Sequence, residues 1–346
     1  MTTSEVIGEP FHCVEISARD MLADLGPYTI CVNDPPWSSL AGEVSPPLRV
    51  VTAWNMDLTH LERVAAEPDD SEVVVGFGGG TALDTAKFLA WRLDRPLVQV
   101  PTITSVDAGF TDAIGIRDAG RVRYVGRIVP RVVAIDLSLI RGAPPRLNRA
   151  GIGDVLSCHT GLFDWSLAAD AGHGHPWDTQ LAALGAALLD ELEQAVDDIA
   201  AVTDTGVRFL ADAYRRIGAA CAAAGHSRFE EGSEHFWAYA FEHATGAHPV
   251  HGEIISLAVC ALASVQQNDP QRAVRLVVRS GVRAHPADLG VTETDFIACL
   301  RDLGTYARAE GLDVTIADLQ PITAGQAAAA WKCVQTLPRH EGGDRR

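Results

Sequence analysis

The chain has 346 residues, 47% of them hydrophobic, and a formal net charge of −17 at pH 7. This length and apolar content predict two domains with separate cores, while the negative charge and the lack of a basic stripe argue against a nucleic-acid partner. No apolar run reaches the roughly 20 residues needed to cross a bilayer, and the seven cysteines form no CxxC pair, which argues against a disulfide framework or a zinc ribbon.

The N-terminal stretch does not have the pattern of a secretory signal. Around Glu5 and Glu9 there is no basic stretch followed by an apolar one, so we expect no secretory signal. The predicted location is therefore the cytoplasm, with no membrane partner. The polar tail from Glu341 to Arg346 is expected to be disordered.

The first 140 residues alternate short apolar runs with helical patterns. Continuous β-branched runs of this kind are typical of parallel strands that are buried on both faces. Five strands are predicted, at residues 28–32, 48–54, 72–80, 96–102 and 131–137. This half therefore predicts an α/β domain with a Rossmann-like parallel sheet.

From Arg149 onward the strand signals disappear. Long segments rich in alanine and leucine, at residues 179–202, 206–224 and 253–267, carry helical periodicity. Pro144 and Pro145 fall between the two halves, where they would stop a helix. The predicted domains are therefore an α/β domain at residues 1–145 and an all-α domain at residues 146–346.

A glycine turn follows the third predicted strand. The run Gly78, Gly79 and Gly80 ends that strand, and the helix that comes next opens with Thr81, Asp84 and Lys87. Backbone N–H groups in such a turn can approach a pyrophosphate, whose negative charge the helix dipole favours. The spacing is not GxGxxG, so a plain tight turn that needs glycine for its backbone angles is an equal alternative.

Four segments of the chain resemble motifs of the iron-containing alcohol dehydrogenases. GGGTALDTAK at 78–87 resembles the GGGxxxDxAK cofactor loop of that family and of its glycerol-1-phosphate dehydrogenase relatives, and PTITSVDAGFTD at 101–112 is similar to the loop between nicotinamide and substrate. RAGIGDVLSCHTGLFDW at 149–165 resembles the start of the metal-binding helix, and GSEHFWAYAFEH with HPVHGE, across 232–253, resembles the two histidine sites. The similar segments occur in the same order over roughly residues 28–265. The motif GDxLSxxTxxxDW resembles the glycerol-1-phosphate dehydrogenase branch in particular.

The resemblance implies a dehydroquinate synthase-like fold and a nicotinamide cofactor, NAD(H) or NADP(H). It assigns the cofactor contacts to Gly78, Gly79, Gly80, Thr81, Asp84, Lys87, Thr102, Thr104 and Ser105. Asp34 matches the position at which relatives carry an acidic residue that favours NAD, because a carboxylate there repels a 2′-phosphate. An aspartate that only shapes a turn is an equal alternative for Asp34.

The resemblance also assigns three metal ligands, Asp154, His235 and His251. One hard oxygen and two imidazole nitrogens suit a catalytic Zn²⁺, with Fe²⁺ or Ni²⁺ as alternatives, and leave a coordination position open. Taken one by one, Asp154 can cap a helix and each histidine can simply be packed. Their combination within matched motifs favours the metal.

Three further side chains near these motifs have open interpretations. His243 lies eight residues after His235, a rise of about 12 Å along a helix, so only one of the two is expected to bind the ion. Cys158 follows Asp154 by one helical turn, and is either a further ligand or a small buried hydrophobe. His248 either faces the substrate or is an ordinary surface histidine.

The implied activity is a metal-dependent alcohol dehydrogenase that interconverts dihydroxyacetone phosphate, or a related small phosphorylated ketone, with its alcohol. Asp107 matches a catalytic aspartate near the substrate hydroxyls, or is a turn residue, and its loop departs from the usual S-x-D-G-F-x-S-P pattern by one inserted residue and by Asp112 in place of proline. Four arginines follow this loop: Arg117, Arg121, Arg123 and Arg127. They either bind a substrate phosphate or form an exposed basic hairpin. A homo-oligomer is expected.

Two other functions remain open. A dehydroquinate-synthase-like sugar-phosphate cyclase shares the fold, the NAD and a metal, but Asp154 stands where those cyclases carry glutamate, and no lysine occurs in residues 111–116. A catalytically silent protein would bind nucleotide and metal without turnover.

Overall fold

The computed structural model describes residues 10–23 and 25–340. The sequence features at Glu5, at Glu9 and from Glu341 to Arg346 lie outside these residues. Within them, no helix is long and apolar enough to cross a membrane. Two compact units are present: one extends to Asn148 and also includes Val207–His226, and the other comprises Arg149–Gly206 and the chain from Ser227 onward.

The first unit contains every strand in the described part of the chain. Six of them form one parallel sheet in the order β1-β8-β5-β4-β2-β3, and β6 and β7 form a separate antiparallel hairpin. The strands are β1 (His12–Glu15), β2 (Tyr28–Val32), β3 (Arg49–Thr52), β4 (Val73–Gly78), β5 (Leu97–Pro101), β6 (Ala113–Asp118), β7 (Arg121–Arg127) and β8 (Val132–Ile135).

Helices cover both faces of this sheet. They are α1 (Ala18–Ala23), α2 (Pro36–Leu40), α3 (Leu58–Ala65), α4 (Gly80–Leu93), α5 (Leu137–Gly142) and α6 (Pro145–Arg149), with a 3₁₀ turn at Ala41–Glu43. Leu61 and Phe88 pack on one face, and Leu22 and Trp37 pack on the other. Every residue of β2 and β5 is buried, as expected for strands in the middle of a parallel sheet that is covered twice.

The second unit is helical. Its helices are α7 (Ile152–Leu156), α8 (Cys158–Asp170), α9 (Thr179–Ala201), α11 (Ser233–Thr245), α12 (His251–Gln266), α13 (Pro270–Ser280), α14 (Glu293–Glu310), α15 (Ile316–Leu319) and α16 (Ala324–Val334), with a 3₁₀ turn at Pro286–Asp288. None of its described residues lies in a strand. The predicted fold class, an α/β domain with a parallel sheet followed by an all-α region, is therefore confirmed.

All five predicted strands are present, within a few residues of their expected ends. The expectation missed β1, because HCVE is four residues long, mostly exposed and at the edge of the sheet, so it carries no apolar run. The hairpin of β6 and β7 agrees with the alternative interpretation of the arginine-rich segment 117–127.

The compact units differ from the predicted domains at two places: the first unit continues to Asn148 instead of ending at residue 145, and it includes α10 (Asp204–Ala224) from Val207 onward. The Tyr214 hydroxyl donates to the carbonyl of Thr104 at 2.8 Å. A Cβ on Gly218 would lie 2.0 Å from the carbonyl oxygen of Phe110, so glycine permits the helix to approach the 101–112 loop. Helical periodicity predicts that α10 forms, but it does not predict which core α10 covers.

Candidate cofactor and metal sites

The glycine turn lies at the point where the direction of the sheet connections changes. From β2 the chain continues outward to β3, whereas from β4 it continues in the opposite direction to β5. Because β2 and β4 are parallel neighbours, their carboxyl ends meet at the same edge of the sheet. Open α/β sheets bind ligands in the crevice at such a point.

The backbone of this turn is shaped for close approach. Gly78 has φ +154°, a conformation that side chains rarely adopt, and α4 begins at Gly80 without a side chain that caps it. The N–H groups of Gly80 and Thr81 therefore suit an anionic ligand, whereas that of Ala82 bonds to the carbonyl of Gly79 at 3.0 Å. A Cβ on Gly79 or on Gly80 would lie 2.9 Å from the side chains of the 101–112 loop, so these glycines also let that loop pack against the turn.

Asn33 connects the two sides of this crevice, although no sequence motif indicates that role. Its Oδ1 accepts the N–H of Gly79 at 3.0 Å, and its Nδ2 donates to the carbonyl of Ala53, just after β3, at 2.9 Å. The available signal was its place directly after a buried strand, next to Asp34. Asp34 itself is exposed, and its Oδ1 accepts from the N–H and the hydroxyl of Ser38 at 3.1 and 2.6 Å.

Lys87 lies inside the unit, and its partner Asp84 is partly buried, with 20% of its side chain exposed. Lys87 is 1% exposed; its Nζ lies 3.0 Å from Asp84 Oδ1 and donates to the carbonyl of Ala113 at 2.8 Å and to the hydroxyl of Thr111 at 3.3 Å. Burial raises the pKa of Asp84, and the Lys87 charge partly opposes that rise. This geometry fits an ion pair that supports the end of the 101–112 loop.

The other residues assigned to the cofactor lie along the same edge. Thr81 is exposed in the first turn of α4, and the N–H of Thr102 donates to the carbonyl of Gly78 at 3.0 Å. Thr104 and Ser105 are buried, and the Thr104 hydroxyl is 3.2 Å from both the carbonyl oxygen and Oδ1 of Asn148. Asp107 is half-buried in a turn in which its carbonyl accepts the N–H of Phe110 at 2.7 Å.

The structure brings Asp154, His235 and His251 together within the second unit. One oxygen and two nitrogens, one from each residue, all lie within 4.8 Å of one another. His251 Nε2 is 3.2 Å from Asp154 Oδ1, and the two imidazole centroids are 5.3 Å apart. Asp154 and His235 are buried, while about a third of the His251 side chain is exposed. The donor set and spacing fit a divalent ion with an open position.

The backbones of α7 and α12 approach closely at two glycines, Gly153 and Gly252. A Cβ on Gly153 would lie 2.6 Å from the carbonyl oxygen of Gly252, so only glycine permits α7 to approach the start of α12 this closely. Gly153 precedes Asp154, and Gly252 follows His251. The close approach of the two backbones therefore sets the carboxylate against the imidazole.

Glu234 fixes the orientation of the buried His235. It is fully buried, and its Oε1 accepts from His235 Nδ1 at 2.9 Å and from the N–H of Gly232 at 2.6 Å. Burial alone lowers the pKa of His235, but the hydrogen bond and charge of Glu234, with Glu231 and Asp154 adding, raise it to about 9. A carboxylate on Nδ1 leaves Nε2 for a metal, which is the usual arrangement behind a histidine ligand. In the sequence, the one signal of this role of Glu234 is its place directly before His235.

Asp164 anchors the helix that carries His235. Its Oδ2 accepts the N–H of Ser233 at the start of α11 at 2.8 Å, and its Oδ1 accepts the N–H of Ile316 at 2.9 Å. Burial, together with the charge of Glu234, raises the pKa of Asp164 to about 6. The DW of the GDxLSxxTxxxDW motif thus contributes to the metal site through the helix start.

The structure leaves three histidine and cysteine candidates outside this group. His243 is exposed and lies against Tyr306, with ring centroids 6.1 Å apart. His248 is exposed and its Nδ1 bonds to Glu242. Cys158 is fully buried. Among the described residues only Asp154, His235 and His251 have donor atoms grouped closely enough for one ion.

The arginine group lies on the hairpin of β6 and β7 in the first unit. Arg127 is partly exposed, and its Nη1 lies 3.2 Å from both carboxylate oxygens of Asp112. Its Nη2 donates to the carbonyl of Gly225 at 2.9 Å. Asp112, which replaces the usual proline of the loop, therefore binds the base of the hairpin.

Comparisons of the sequence with known proteins give similarities that agree with one another. The sequence model of the iron-containing alcohol dehydrogenases matches residues 39–144. A glycerol-1-phosphate dehydrogenase [NAD(P)+] from Sulfolobus acidocaldarius is 29% identical over 253 residues, which cover 72% of each chain. The protein of the same name from Pyrobaculum neutrophilum is 31% identical over 220 residues, 62% of this chain and 64% of its own.

A comparison of structures finds the same fold. A probable glycerol dehydrogenase from Sinorhizobium meliloti superposes with a TM-score of 0.75 and 21% identity, over 95% of this chain and 97% of its own. At this identity the likeness concerns the fold alone.

Proposed function

We propose that the protein is a metal-dependent, NAD(P)-linked dehydrogenase of the glycerol-1-phosphate dehydrogenase type, because the iron-containing alcohol dehydrogenase model matches residues 39–144 and a glycerol-1-phosphate dehydrogenase is 29% identical to the chain over 253 residues. The proposed reaction interconverts dihydroxyacetone phosphate, or a related small phosphorylated ketone, with its alcohol. NAD(P) and a divalent metal are both consistent with the family.

The observation that carries this proposal is the group of Asp154, His235 and His251. Two of the three side chains are buried, and a buried carboxylate beside two imidazoles needs a reason for its desolvation. One oxygen and two nitrogens make Zn²⁺ our first choice, with Fe²⁺ and Ni²⁺ as alternatives.

Each side chain has a role that follows from its contacts. Glu234 holds the Nδ1 proton of His235, so that Nε2 keeps its lone pair for the ion. When bound, a reduced nicotinamide would supply the hydride for the ketone carbon and a divalent ion would supply Lewis-acid polarisation of the ketone oxygen, and one proton on that oxygen would balance the reduction. We assign Asp107 to the orientation of substrate hydroxyls or to the passage of that proton.

The cofactor proposal rests on the edge formed by β5, β4 and β2. The uncapped start of α4 at Gly79 and Gly80 suits the pyrophosphate, and the exposed carboxylate of Asp34 suits a ribose and favours NAD. Thr81 and Thr102 lie beside this turn. For Asp84, Lys87 and Thr104, whose polar atoms bind within the unit, we propose support of the turn and loop instead of direct cofactor contact.

The test is a substrate comparison at fixed zinc with NADH and with NADPH. We expect reduction of dihydroxyacetone phosphate to be faster than reduction of dihydroxyacetone. Arg121→Ala or Arg123→Ala should reduce kcat/KM about tenfold to a hundredfold on the phosphorylated ketone only, if that side chain contacts the phosphate. If every arginine variant treated both ketones as the parent does, phosphate recognition by the hairpin would be excluded.

The other outcomes identify the alternatives. Release of inorganic phosphate from a sugar phosphate without net NADH consumption would favour the cyclase. Bound nucleotide and metal with no turnover of any ketone would favour the silent protein. We also propose that the protein is a cytoplasmic homo-oligomer that binds neither nucleic acid nor membrane.

A further inference from the structure

Trp54 is the most exposed large hydrophobic side chain in the described part of the protein, with 72% of its surface open to solvent. An exposed indole keeps a large apolar area in water, and such a ring is a favourable surface for another flat group. Trp54 lies just after β3, which is parallel to β2. It therefore stands at the same edge of the sheet as Asp34 and the glycine turn.

One side chain connects Trp54 to that turn. Asn33 Nδ2 donates to the carbonyl of Ala53, the residue before Trp54, while Asn33 Oδ1 accepts the N–H of Gly79. The same asparagine thus binds both the glycine turn and the backbone directly before Trp54. These two hydrogen bonds fix the distance between the turn and that backbone.

The indole ring of Trp54 also has a packing partner on α3. Its ring packs against His60 of α3, with centroids 5.1 Å apart and planes at 59°. The loop behind it is fixed by Asn55, whose Oδ1 accepts the N–H of Asp57 at 2.8 Å, and by Met56, whose carbonyl accepts the N–H of Arg117 at 2.8 Å. A ring on a fixed loop loses little entropy when a ligand stacks on it.

The order of strands matches the order of groups in a dinucleotide. Neighbouring strands are about 4.8 Å apart, so the edge runs from β4 through β2 to β3 over roughly 10 Å. With the pyrophosphate at the β4 turn and the adenosine ribose at Asp34 after β2, the next group outward is adenine. We propose that Trp54 is the platform on which the adenine ring of NAD(P) stacks, an inference that rests on the proposed cofactor site.

The test uses ADP, which carries the adenosine and pyrophosphate but no nicotinamide, and NMNH, which carries the nicotinamide but no adenine. Trp54→Ala should weaken ADP and NAD⁺ binding roughly fivefold to a hundredfold in calorimetric titrations, as expected for one base stacked on one aromatic ring. NMNH affinity should not change. Trp54→Phe should keep most of the ADP affinity.

Leu48→Ala is the matched control, because Leu48 is 60% exposed just before β3, away from the edge that carries Trp54. Its ADP affinity should equal that of the parent. A second readout is tryptophan fluorescence: ADP should quench part of the emission of the parent, and this quench should vanish in Trp54→Phe, which retains the six other tryptophans. The Phe variant keeps the test valid if Trp54→Ala fails to fold.

Each contrary result has a distinct meaning. If Trp54→Ala bound ADP as the parent does, the platform would be overturned while the nucleotide site stood. An equal loss for NMNH would place the effect away from adenine and overturn it as well. Unchanged ADP affinity with a changed sedimentation mass would make Trp54 an interface residue instead. If the parent bound neither ADP nor NAD(P), the proposed cofactor site would fail, and the platform with it.

Discussion

His235 is buried between acidic groups, and its environment explains its chemistry. Glu234 hydrogen-bonds to Nδ1, and Asp154 lies close enough to share an ion with it. Burial opposes a charge on the ring, yet the neighbouring carboxylates outweigh it and bring the pKa to about 9. In the metal-free protein the imidazole is therefore protonated at neutral pH, so that proton and metal compete for it.

The ligand assignment predicts a paired loss of metal and activity. Purified His235→Ala and His251→Ala should each lack most of the metal that the parent holds, because three ligands reduced to two no longer retain a divalent ion. Metal content is measured by elemental analysis beside ketone reduction. His243→Ala, an exposed histidine on the same helix, is the control and should keep both. A parent-like metal content in His235→Ala would show that the assignment is wrong.

Glu234→Gln tests the orienting carboxylate through the pH dependence of metal binding. In the parent, apparent Zn²⁺ affinity should rise with pH up to about 9, since the His235 proton must leave first. In the variant the pKa of His235 falls, so the rise should end at a lower pH, at a plateau about tenfold to a hundredfold weaker. Chelator-buffered zinc titrations measure this. Glu193→Gln, at a partly exposed pair with Arg272, should behave as the parent; identical curves for Glu234→Gln would refute the role.

At the scale of elements, residues of one motif have different surroundings along α4. Gly79 directly before α4 and Gly80 at its start form an open turn, whereas Lys87, two turns later, is buried and paired with the partly buried Asp84. The four positions share one motif, GGGTALDTAK, but only the first turn of a helix presents unbonded N–H groups to a ligand. Lys87 instead ties α4 to the start of β6.

Lys87→Met separates stability from cofactor binding. The variant leaves the carboxylate of Asp84 without its lysine partner, which should lower the free energy of unfolding by about 3 kcal/mol. Urea denaturation measures the loss, and ADP affinity measured at low temperature should stay near that of the parent. Lys332→Met, at an exposed lysine of α16, should change neither. Parent-like stability with lost ADP binding would return Lys87 to the cofactor site.

At the scale of the whole molecule, the two proposed sites lie in different compact units. Asp154, His235 and His251 all belong to the second unit, whereas the glycine turn, Asp34 and Trp54 belong to the first. A ligand stabilises the part of the structure that holds it, since it binds only the folded form.

Hydrogen exchange read by mass spectrometry should therefore respond separately to the two ligands. Removal of the metal by a chelator should increase exchange in α7 and in the first turns of α11 and α12, and ADP should slow exchange at 78–83 and 53–57. Equal changes over β2 to β5 on chelation would contradict the assignment of all three ligands to the second unit. The His235→Ala protein is the control, because a chelator should change nothing further in it.

The sequence by itself determined the fold class, the positions of five strands, the glycine turn and the three residues grouped for a metal. Strand runs, helical periodicity and motif wording are local patterns, and they depend on residues that are close along the chain. The strand at residues 28–32 and the helix at residues 179–201 were predicted almost to the residue for this reason.

Only the tertiary structure decided which residues work together across the chain. Asn33 reaches both Gly79 and Ala53, Asp164 caps a helix that begins 69 residues later, and α10 covers the first core rather than the second. The burial of Lys87 beside Asp84 also results from the packing of the whole unit. Contacts of this kind depend on close packing and desolvation between distant segments, for which no local spacing in the sequence carries a signal.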